Sequence, residues 1–203
     1  RGNIDILNEH KSIAVVGSRK ISAVGAKLAY NAGSIIGKNG FNLVNGLALG
    51  CDAEALKGAL AAGGKCAVVL PCGINEIYPK SNQWIAEEVL KQGGCLISEY
   101  PEGTRPEKYR FVQRDRLQSG MSQGVLVVEA MEKSGTMHTA EYAKKQNRRL
   151  ACYYHGLLKY STGNNVLENL YQAAVIKTNE DLENYLCEIA DIEEYTQLSF
   201  DFV

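Results

Sequence analysis

The chain has 203 residues, of which 45% are hydrophobic and 22% charged, and its formal net charge at pH 7 is −1. This length suffices for one domain with a sizeable core, and no apolar run approaches the roughly 18 residues that a membrane-spanning helix needs. The six cysteines are scattered and form no Cys-x-x-Cys pair, which is typical of small core residues in a reducing compartment. We therefore expect a cytoplasmic globular protein that has no membrane segment.

Charge is distributed unevenly along the chain. Eight of the 23 acidic residues lie in 179–203, a segment without Lys or Arg, so that residues 1–178 carry a net charge of +7. A basic body of this kind is suited to holding a polyanion such as nucleic acid. The acidic segment is either a solvating tail or an occupant of the basic groove.

Short apolar strands alternate with helical segments after a polar lead-in over residues 1–11. Strands are predicted over residues 12–17, 41–45, 65–70, 95–98, 125–128, 150–153 and 175–177. Helices are predicted over residues 22–38, 51–62, 81–92, 109–122 and 137–147, and two more end near residues 173 and 189. This alternation favours right-handed crossovers and a doubly wound, mainly parallel sheet. We predict a single extended Rossmann-like α/β domain over residues 12–189 and an acidic, aromatic tail over residues 190–203.

Glycines and small hydroxyl residues recur where the predicted strands lead into helices. Ligands of such folds bind beyond the carboxyl ends of the strands, where glycine allows close backbone approach and helix N–H groups bind anions. These turns predict a phosphate site. Its candidate residues are Gly17, Ser18, Arg19, Ser22, Gly46, Gly50, Asp52, Ser134, Gly135, Thr136 and Thr139. Plain turns and helix caps are the alternative interpretation, and Asp52 is expected to cap its helix rather than act as a catalytic base.

A basic segment lies between the fourth and fifth predicted strands. Its cations, five within twelve positions, are Arg105, Lys108, Arg110, Arg114 and Arg116. Arginine pairs with phosphate, and the interleaved Tyr109 and Phe111 would supply stacking faces for unpaired bases. We assign Arg110, Arg114 and Arg116 to the candidate site. A solvated face with core aromatic residues is the alternative, and it is favoured for Phe111.

Little in the sequence indicates a metal or a catalytic centre. The three histidines, His10, His138 and His155, are too widely separated to form a metal motif. We predict no metal, no cofactor and no catalytic residue. Trp84 lies inside a predicted helix and is expected to be packed.

The motifs, taken in order, resemble the Rossmann-type core of the DNA-processing protein A (DprA, or Smf) family over residues 12 to about 174. The matching fragments are Val-Gly-Ser-Arg at 16–19, Gly-Leu-Ala-x-Gly-x-Asp at 46–52, Ser-Glu-Tyr-Pro-x-Gly at 98–103, Phe-x-x-Arg-x-Arg at 111–116, Val-Glu-Ala at 128–130 and Ser-Gly-x-x-x-Thr-Ala at 134–140. The resemblance implies a protein that binds single-stranded DNA, commonly as a homodimer. It also implies help in loading a RecA-type recombinase onto DNA during natural transformation, without catalysis.

The chain departs from the family pattern in several places, among them the turn Tyr154-His155-Gly156, where the pattern favours a proline before the glycine. It has Leu56 where the pattern places His, and Val112 and Asp115 where the pattern places Pro and Asn. A carboxylate between Arg114 and Arg116 neutralises part of the charge that a phosphate would meet. The departures leave two ligands open, single-stranded DNA and a free nucleotide.

A nucleotide sensor or a nucleoside-monophosphate phosphoribohydrolase of the Lonely Guy type is the alternative function, because the cores of those proteins resemble this one. Such hydrolases need a carboxylate three residues after the Thr of a Gly-x-Gly-Thr turn, and that position is Thr139 here. Hydrolysis would therefore need another acid, for which Glu129 and Glu141 lie nearby in sequence.

The last residues suggest a further partner. Gln197, Phe200 and Phe202 resemble the short glutamine-led peptides that bind bacterial sliding clamps. A glutamine and two apolar anchors suit a hydrophobic groove, and a packed tail or an edge strand is the alternative.

Overall fold

Seven short strands form one sheet in which every neighbouring pair is parallel. The computed structural model describes residues 1–191. The strands are β1 (Ser12–Val16), β2 (Asn42–Asn45), β3 (Cys66–Val69), β4 (Cys95–Ile97), β5 (Gly124–Val127), β6 (Arg149–Tyr153) and β7 (Ala174–Ile176). Their order in the sheet is β4-β3-β2-β1-β5-β6-β7. The predicted doubly wound, Rossmann-like α/β fold is confirmed.

Helices cover both faces of this sheet. Within residues 1–191 the α-helices are α1 (Ile6–Glu9), α2 (Ala23–Lys38), α3 (Cys51–Ala61), α4 (Gln83–Lys91), α5 (Lys108–Gly120), α6 (Gly135–Lys145), α7 (Thr162–Leu170) and α8 (Asn179–Ala190). Helices α2, α3, α4 and α8 pack on one face, and α1, α5, α6 and α7 pack on the other.

Strand β1 shows why the apolar runs of the sequence form central strands. All five of its residues are buried. Ile13 and Val15 pack into the core formed with α2 and α3, whereas Ala14 and Val16 pack into the core formed with α6 and α7. Alternate side chains therefore enter opposite layers, and a strand buried on both faces has a nearly continuous apolar run, here residues 13–16.

Helices α2 and α3 approach each other closely through two glycines. A Cβ on Gly33 would lie 1.9 Å from the carbonyl oxygen of Ala55, and a Cβ on Gly58 would lie 1.9 Å from that of Tyr30. No side chain fits at either contact. This packing holds the N-terminal ends of both helices beside the carboxyl ends of β1 and β2.

The chain order in the sheet reverses between β1 and β5. Strands β1 to β4 extend in one direction from this point, and β5 to β7 extend in the other. Connections on the two sides diverge at such a switch point and leave a crevice beyond the carboxyl ends of the strands. Helix α5 provides the crossover from β4 to β5 and lies beside this crevice.

Two expectations about single residues differ from the structure. Trp84 is 53% exposed, so the expectation that it is packed was wrong. It is the second residue of α4, whose buried face is formed instead by Ile85, Ala86 and Val89. Five of the six cysteines are buried free thiols, but Cys187 is exposed on α8.

Strands β1 to β7 lie within residues 12–176, and the predicted lead-in and tail flank them in sequence. The lead-in over residues 1–11 contains α1, whose Ile6 is buried, and Gly2 forms a bridge to Cys95. At the other end, the candidate sliding-clamp residues Gln197 and Phe202 lie outside the described residues. Among residues 1–191, no helix has the length and apolar character needed to cross a membrane.

Candidate functional site

A cavity of about 1070 Å³ opens beyond the carboxyl ends of β1 and β5, at the switch point of the sheet. Its walls are the turn between β1 and α2, helix α5 and the first turn of α6. The predicted site residues that line it are Gly17, Ser18, Arg19, Asp52, Arg114, Ser134, Gly135, Thr136 and Thr139. The structure thus brings together three turns that are distant in sequence.

Five predicted site residues lie outside this lining: Ser22, Gly46, Gly50, Arg110 and Arg116. Ser22 caps α2 by accepting a hydrogen bond from the N–H of Gly25. Arg116 donates to both carboxylate oxygens of Glu99, at 2.5 and 2.7 Å. The guanidinium of Arg110 lies 3.1 Å from the carboxylate of Glu107. The two arginines are therefore paired with acidic residues on the outer side of α5.

Backbone contacts lock the turn between β1 and α2. The N–H of Ser18 donates to the carbonyl oxygen of Glu129 at 2.7 Å, and the carbonyl oxygen of Ser18 accepts from the N–H of Cys51 at 3.1 Å. Gly50 has φ +74°, and a Cβ there would lie 2.5 Å from the Ser18 carbonyl oxygen. Glycine is required at this position because of both its conformation and this contact. Gly50 therefore contributes to the site indirectly, by holding the turn between β1 and α2 in place.

An arginine and an aromatic ring meet at the mouth of the cavity. Arg19 is exposed, and its guanidinium carbon lies 4.8 Å from the centroid of the Phe111 ring. The ring of Tyr78 meets Phe111 edge-on, with centroids 5.6 Å apart. Phe111 is half-buried and lines the cavity, so the favoured expectation of a core position was wrong.

Asp52 holds the glycine turn that follows β2. Its carboxylate accepts hydrogen bonds from the N–H groups of Gly46, at 3.0 Å, and Ala48, at 3.3 Å. The favoured interpretation of Asp52 as the cap of α3 was therefore wrong, because its acceptor oxygen faces the preceding turn. Burial raises the pKa of Asp52, and the positive charge of Arg114 opposes this rise.

Arg114 is a buried arginine whose space depends on a glycine. It is 3% exposed, and its Nη1 donates to the carbonyl oxygen of Val69 at 2.8 Å. A Cβ on Gly46 would lie 1.4 Å from that Nη1 atom. Gly46 therefore leaves room for the guanidinium at the base of the cavity. This explains why position 46 is a glycine although it does not line the cavity itself.

Asp115 adjoins this arginine inside the cavity. Its Oδ1 lies 3.2 Å from Nε of Arg114, and its side chain is 13% exposed. Burial raises the pKa of Asp115 to about 6; Arg114 acts in the opposite direction, and the negative charge of Asp52 adds to the rise. The cavity thus contains two carboxyl groups that resist ionisation.

The start of α6 forms the opposite wall. Helix α6 begins at Gly135, two residues before its predicted start, so Gly135 and Thr136 belong to its first turn. The hydroxyl of Ser134 donates to the carbonyl oxygen of Met131 at 2.6 Å. Among the described residues, no side chain caps this end of α6. Its N–H groups are thus placed at the cavity without a side-chain acceptor.

The acids proposed for a hydrolase do not line the cavity. Glu129 is buried, and its carboxylate accepts from the N–H groups of Ser22, at 2.7 Å, and Tyr160, at 3.0 Å. Glu141 is exposed on α6, and its carboxylate lies 3.8 Å from Nδ1 of His138. Glu129 therefore joins three segments of backbone around the site. The acidic residues that do line the cavity are Asp52 and Asp115.

Sequence interpretation missed several residues of the cavity. Gln118 follows Phe111, Arg114 and Asp115 at positions i+7, i+4 and i+3, a spacing that places all four on one face of α5. This periodicity could have identified it. Further lining residues are Lys20, Tyr78, Met131 and Tyr160. They lie in turns and loops, where no periodicity indicates direction.

Relatives of the chain were found by sequence. The family model described as DNA recombination-mediator protein A matches residues 1–186. The chain is 41% identical over 138 residues to Protein Smf of Escherichia coli, covering 68% of this chain and 37% of that protein. It is 35% identical over 150 residues to DNA processing protein DprA of Bacillus subtilis, covering 74% of this chain and 50% of that protein. The chain therefore spans about a third to a half of the length of the curated relatives it matches.

The fold has a counterpart among solved structures. DNA processing protein A of Helicobacter pylori, described for its single-stranded DNA binding mode, superposes with a TM-score of 0.83 and 29% sequence identity, covering 92% of this chain and 85% of that chain. The sequence comparison and the structure comparison thus both find DNA processing proteins. The chain belongs to the DNA recombination-mediator protein A family, as the match over residues 1–186 shows.

Proposed function

We propose that the cavity binds single-stranded DNA, with phosphates held at the turn between β1 and α2 and at the start of α6. One observation carries the proposal: the uncapped start of α6, exposed cations and an aromatic ring converge on one cavity of about 1070 Å³. The DNA-binding description of the Helicobacter pylori relative supports the same ligand.

The charges at the mouth favour a polyanion. Arg19, Lys20 and Lys108 line the cavity and are exposed, and none of them is held by an ion pair described among residues 1–191. Cations that reach solvent release counterions when they contact phosphates, and this release is the main source of affinity for nucleic acid. The uncapped start of α6 adds N–H donors on the opposite wall.

Aromatic side chains at the same mouth favour unpaired bases. Phe111 presents its ring to the cavity beside Arg19, and Tyr78 supports it edge-on. Stacking of a base on an aromatic ring contributes roughly 1–3 kcal/mol and needs a base that is free of its partner strand. Single strands therefore fit this mouth better than a duplex does.

The arginines of the candidate site take different roles in this proposal. Arg19 contacts phosphate, whereas Arg114 is a positioning residue, because its guanidinium is buried and bound to a main-chain carbonyl oxygen. Arg110 and Arg116 contribute little, since each already pairs with a carboxylate outside the cavity.

We further propose that this domain acts in recombination as a homodimer that passes single-stranded DNA to a RecA-type recombinase. Membership of the DNA recombination-mediator protein A family supports this role. Size-exclusion chromatography with light scattering tests the dimer. Co-precipitation with a recombinase, with and without oligonucleotide, tests the partner.

The binding proposal is tested by fluorescence anisotropy of a labelled oligo-dT over a salt series. Arg19→Ala is expected to weaken binding about tenfold and to lower the salt slope by about one, because it removes one phosphate contact. Arg116→Ala, the matched control with the same loss of charge, is expected to change affinity less than about twofold, because its partner is already a carboxylate.

Mononucleotides serve as competitors in the same assay. Displacement of oligo-dT by micromolar AMP or GMP, or no binding of oligo-dT at all, would contradict the proposal. Either result would favour the nucleotide sensor or hydrolase instead, for which release of a free base from a nucleoside monophosphate is the direct measurement.

A further inference from the structure

Helix α5 presents a stripe of mixed chemistry to the cavity. Phe111, Arg114, Asp115 and Gln118 all line the cavity and are spaced for one helical face. The stacking ring of Phe111 lies at the first turn of this stripe. Asp115 lies about one turn further along α5 and Gln118 about two turns further. The proposed binding of phosphate assigns no role to either side chain.

Gln118 is a buried donor that lacks an acceptor. It is 2% exposed, and its Nε2 has no hydrogen-bond partner among residues 1–191. A buried polar group left in this state costs about 1–3 kcal/mol. Because the side chain lines the cavity, an acceptor on a bound ligand would remove this cost.

Asp115 is the neighbouring acceptor, one turn closer to Phe111. Its carboxylate accepts hydrogen bonds only, when ionised. The charged groups that face it are Arg114 on its own helix, Asp52 at the start of α3, Arg19 in the turn after β1, and His138 on α6. A phosphate placed here would meet a carboxylate, so this part of the cavity suits a neutral ligand group that offers an N–H.

We propose that Asp115 and Gln118 read the edge of a base stacked on Phe111, and that they select bases in which a carbonyl lies beside a ring N–H. This inference rests on the proposed binding of single-stranded DNA. The carbonyl oxygen accepts from the Gln118 amide, and the ring N–H donates to the Asp115 carboxylate. Thymine and guanine carry this pair of groups. Adenine and cytosine carry these groups in the reverse order, an amino N–H beside an unprotonated ring nitrogen. With the sugar on the same side of the stacked base, the lone pair of that ring nitrogen faces the carboxylate.

The spacing of the two residues fits such an edge. Positions 115 and 118 lie about one helical turn apart, which places their side chains next to each other on the helix surface. Donor and acceptor therefore stand side by side, as do the carbonyl and the N–H of the base. Asp115 is accordingly a specificity-determining residue of the site, rather than only a charge that weakens phosphate binding.

The test compares labelled oligonucleotides of about 16 nucleotides, a length within one site, by anisotropy. The probes are oligo-dT, oligo-dA, oligo-dC and an oligo-dT carrying N3-methylthymine, which lacks the ring N–H. Deoxyinosine, which keeps the carbonyl and the ring N–H of guanine, replaces guanine to avoid self-association. Wild type is expected to bind the thymine and inosine probes at least about tenfold more tightly than the other three, as one hydrogen bond to a charged acceptor implies.

Asp115→Asn is the decisive variant, because the amide can donate as well as accept. It is expected to bind the thymine, inosine, adenine and cytosine probes within about threefold of one another, given that an amide satisfies either edge. The N3-methylthymine probe, which offers neither a donor nor an acceptor at N3, is expected to stay weaker. Glu183→Gln, an exposed position on α8 with the same change of charge, is expected to keep the wild-type preference. Gln118→Met tests the donor separately and is expected to reduce the preference while leaving binding of oligo-dA unchanged.

The outcomes separate the two proposals. Equal binding of all probes by wild type overturns this inference and leaves the proposed function standing. A preference for the thymine and inosine probes over the adenine and cytosine probes that persists in Asp115→Asn also overturns it. If wild type binds no probe, the proposed function fails and this inference fails with it.

Discussion

Replacing Asp115 with Asn is expected to stabilise the fold at neutral pH but not at acidic pH. Burial raises the pKa of this carboxyl from its ordinary value of 3.8 to about 6. The folded state therefore holds a proton on Asp115 between these two pH values, whereas the unfolded chain does not, and stability falls as pH rises through this window. At about 1.4 kcal/mol per pKa unit, ionisation costs the folded state about 3 kcal/mol by pH 7.

Urea denaturation at about pH 4 and about pH 7.5 measures this cost. Asparagine has nearly the same shape and carries no charge, so Asp115→Asn should match wild type at the lower pH and exceed its free energy of unfolding by up to about 3 kcal/mol at the higher one. Taking the difference between the two proteins removes the contributions of all other titrating groups. A difference that does not change with pH would refute the reasoning, and Glu183→Gln provides the control for a change of charge alone.

Two further predictions concern the packing around the site. Gly58→Ala should lower the free energy of unfolding by about 1–3 kcal/mol or more, because its Cβ would lie 1.9 Å from the carbonyl oxygen of Tyr30. Gly135→Ala is the control, because a Cβ at that position meets nothing within 4 Å. Its free energy of unfolding, measured in the same urea titration, should stay within about 0.5 kcal/mol of the wild-type value. Glu129→Gln should cost about 1–3 kcal/mol, because an amide keeps one acceptor oxygen for two backbone N–H donors. Equal stability of Glu129→Gln and wild type at neutral pH would contradict the second prediction.

The sheet and most helix boundaries could be predicted from the sequence because their signals are local. The apolar run of β1 is buried on both faces, and the glycines after β1 and β2 mark the ends of the strands. Alternation of the two element types then restricts the topology to parallel crossovers. The position of the cavity follows as well, because the glycine-bearing turns gather beyond the carboxyl ends of the strands.

Roles of individual side chains could not be predicted, because they depend on contacts between distant segments. The sequence places Arg114 in a basic segment suited to phosphate binding. Its guanidinium is nevertheless buried at the base of the cavity, because Gly46 has no Cβ to occupy that space. Asp52 sits where a helix cap is expected, yet the preceding turn supplies its donors. Trp84 resembles a core residue by type, but its place on α4 faces solvent. Helical periodicity alone does not distinguish a face that packs from a face that lines a cavity.

The raised pKa of Asp115 also predicts how base preference should vary with pH. Below about pH 6 the free protein carries Asp115 as a neutral acid, which can donate to the bare ring nitrogen of adenine or cytosine. The preference for oligo-dT over oligo-dA should therefore decrease as the pH falls below about 6, and it should reach its maximum well above pH 6. In Asp115→Asn the ratio should show no such dependence. Protonation of the bases occurs equally with both proteins, so a pH dependence shared by wild type and variant would assign the effect to the nucleic acid and not to this carboxyl.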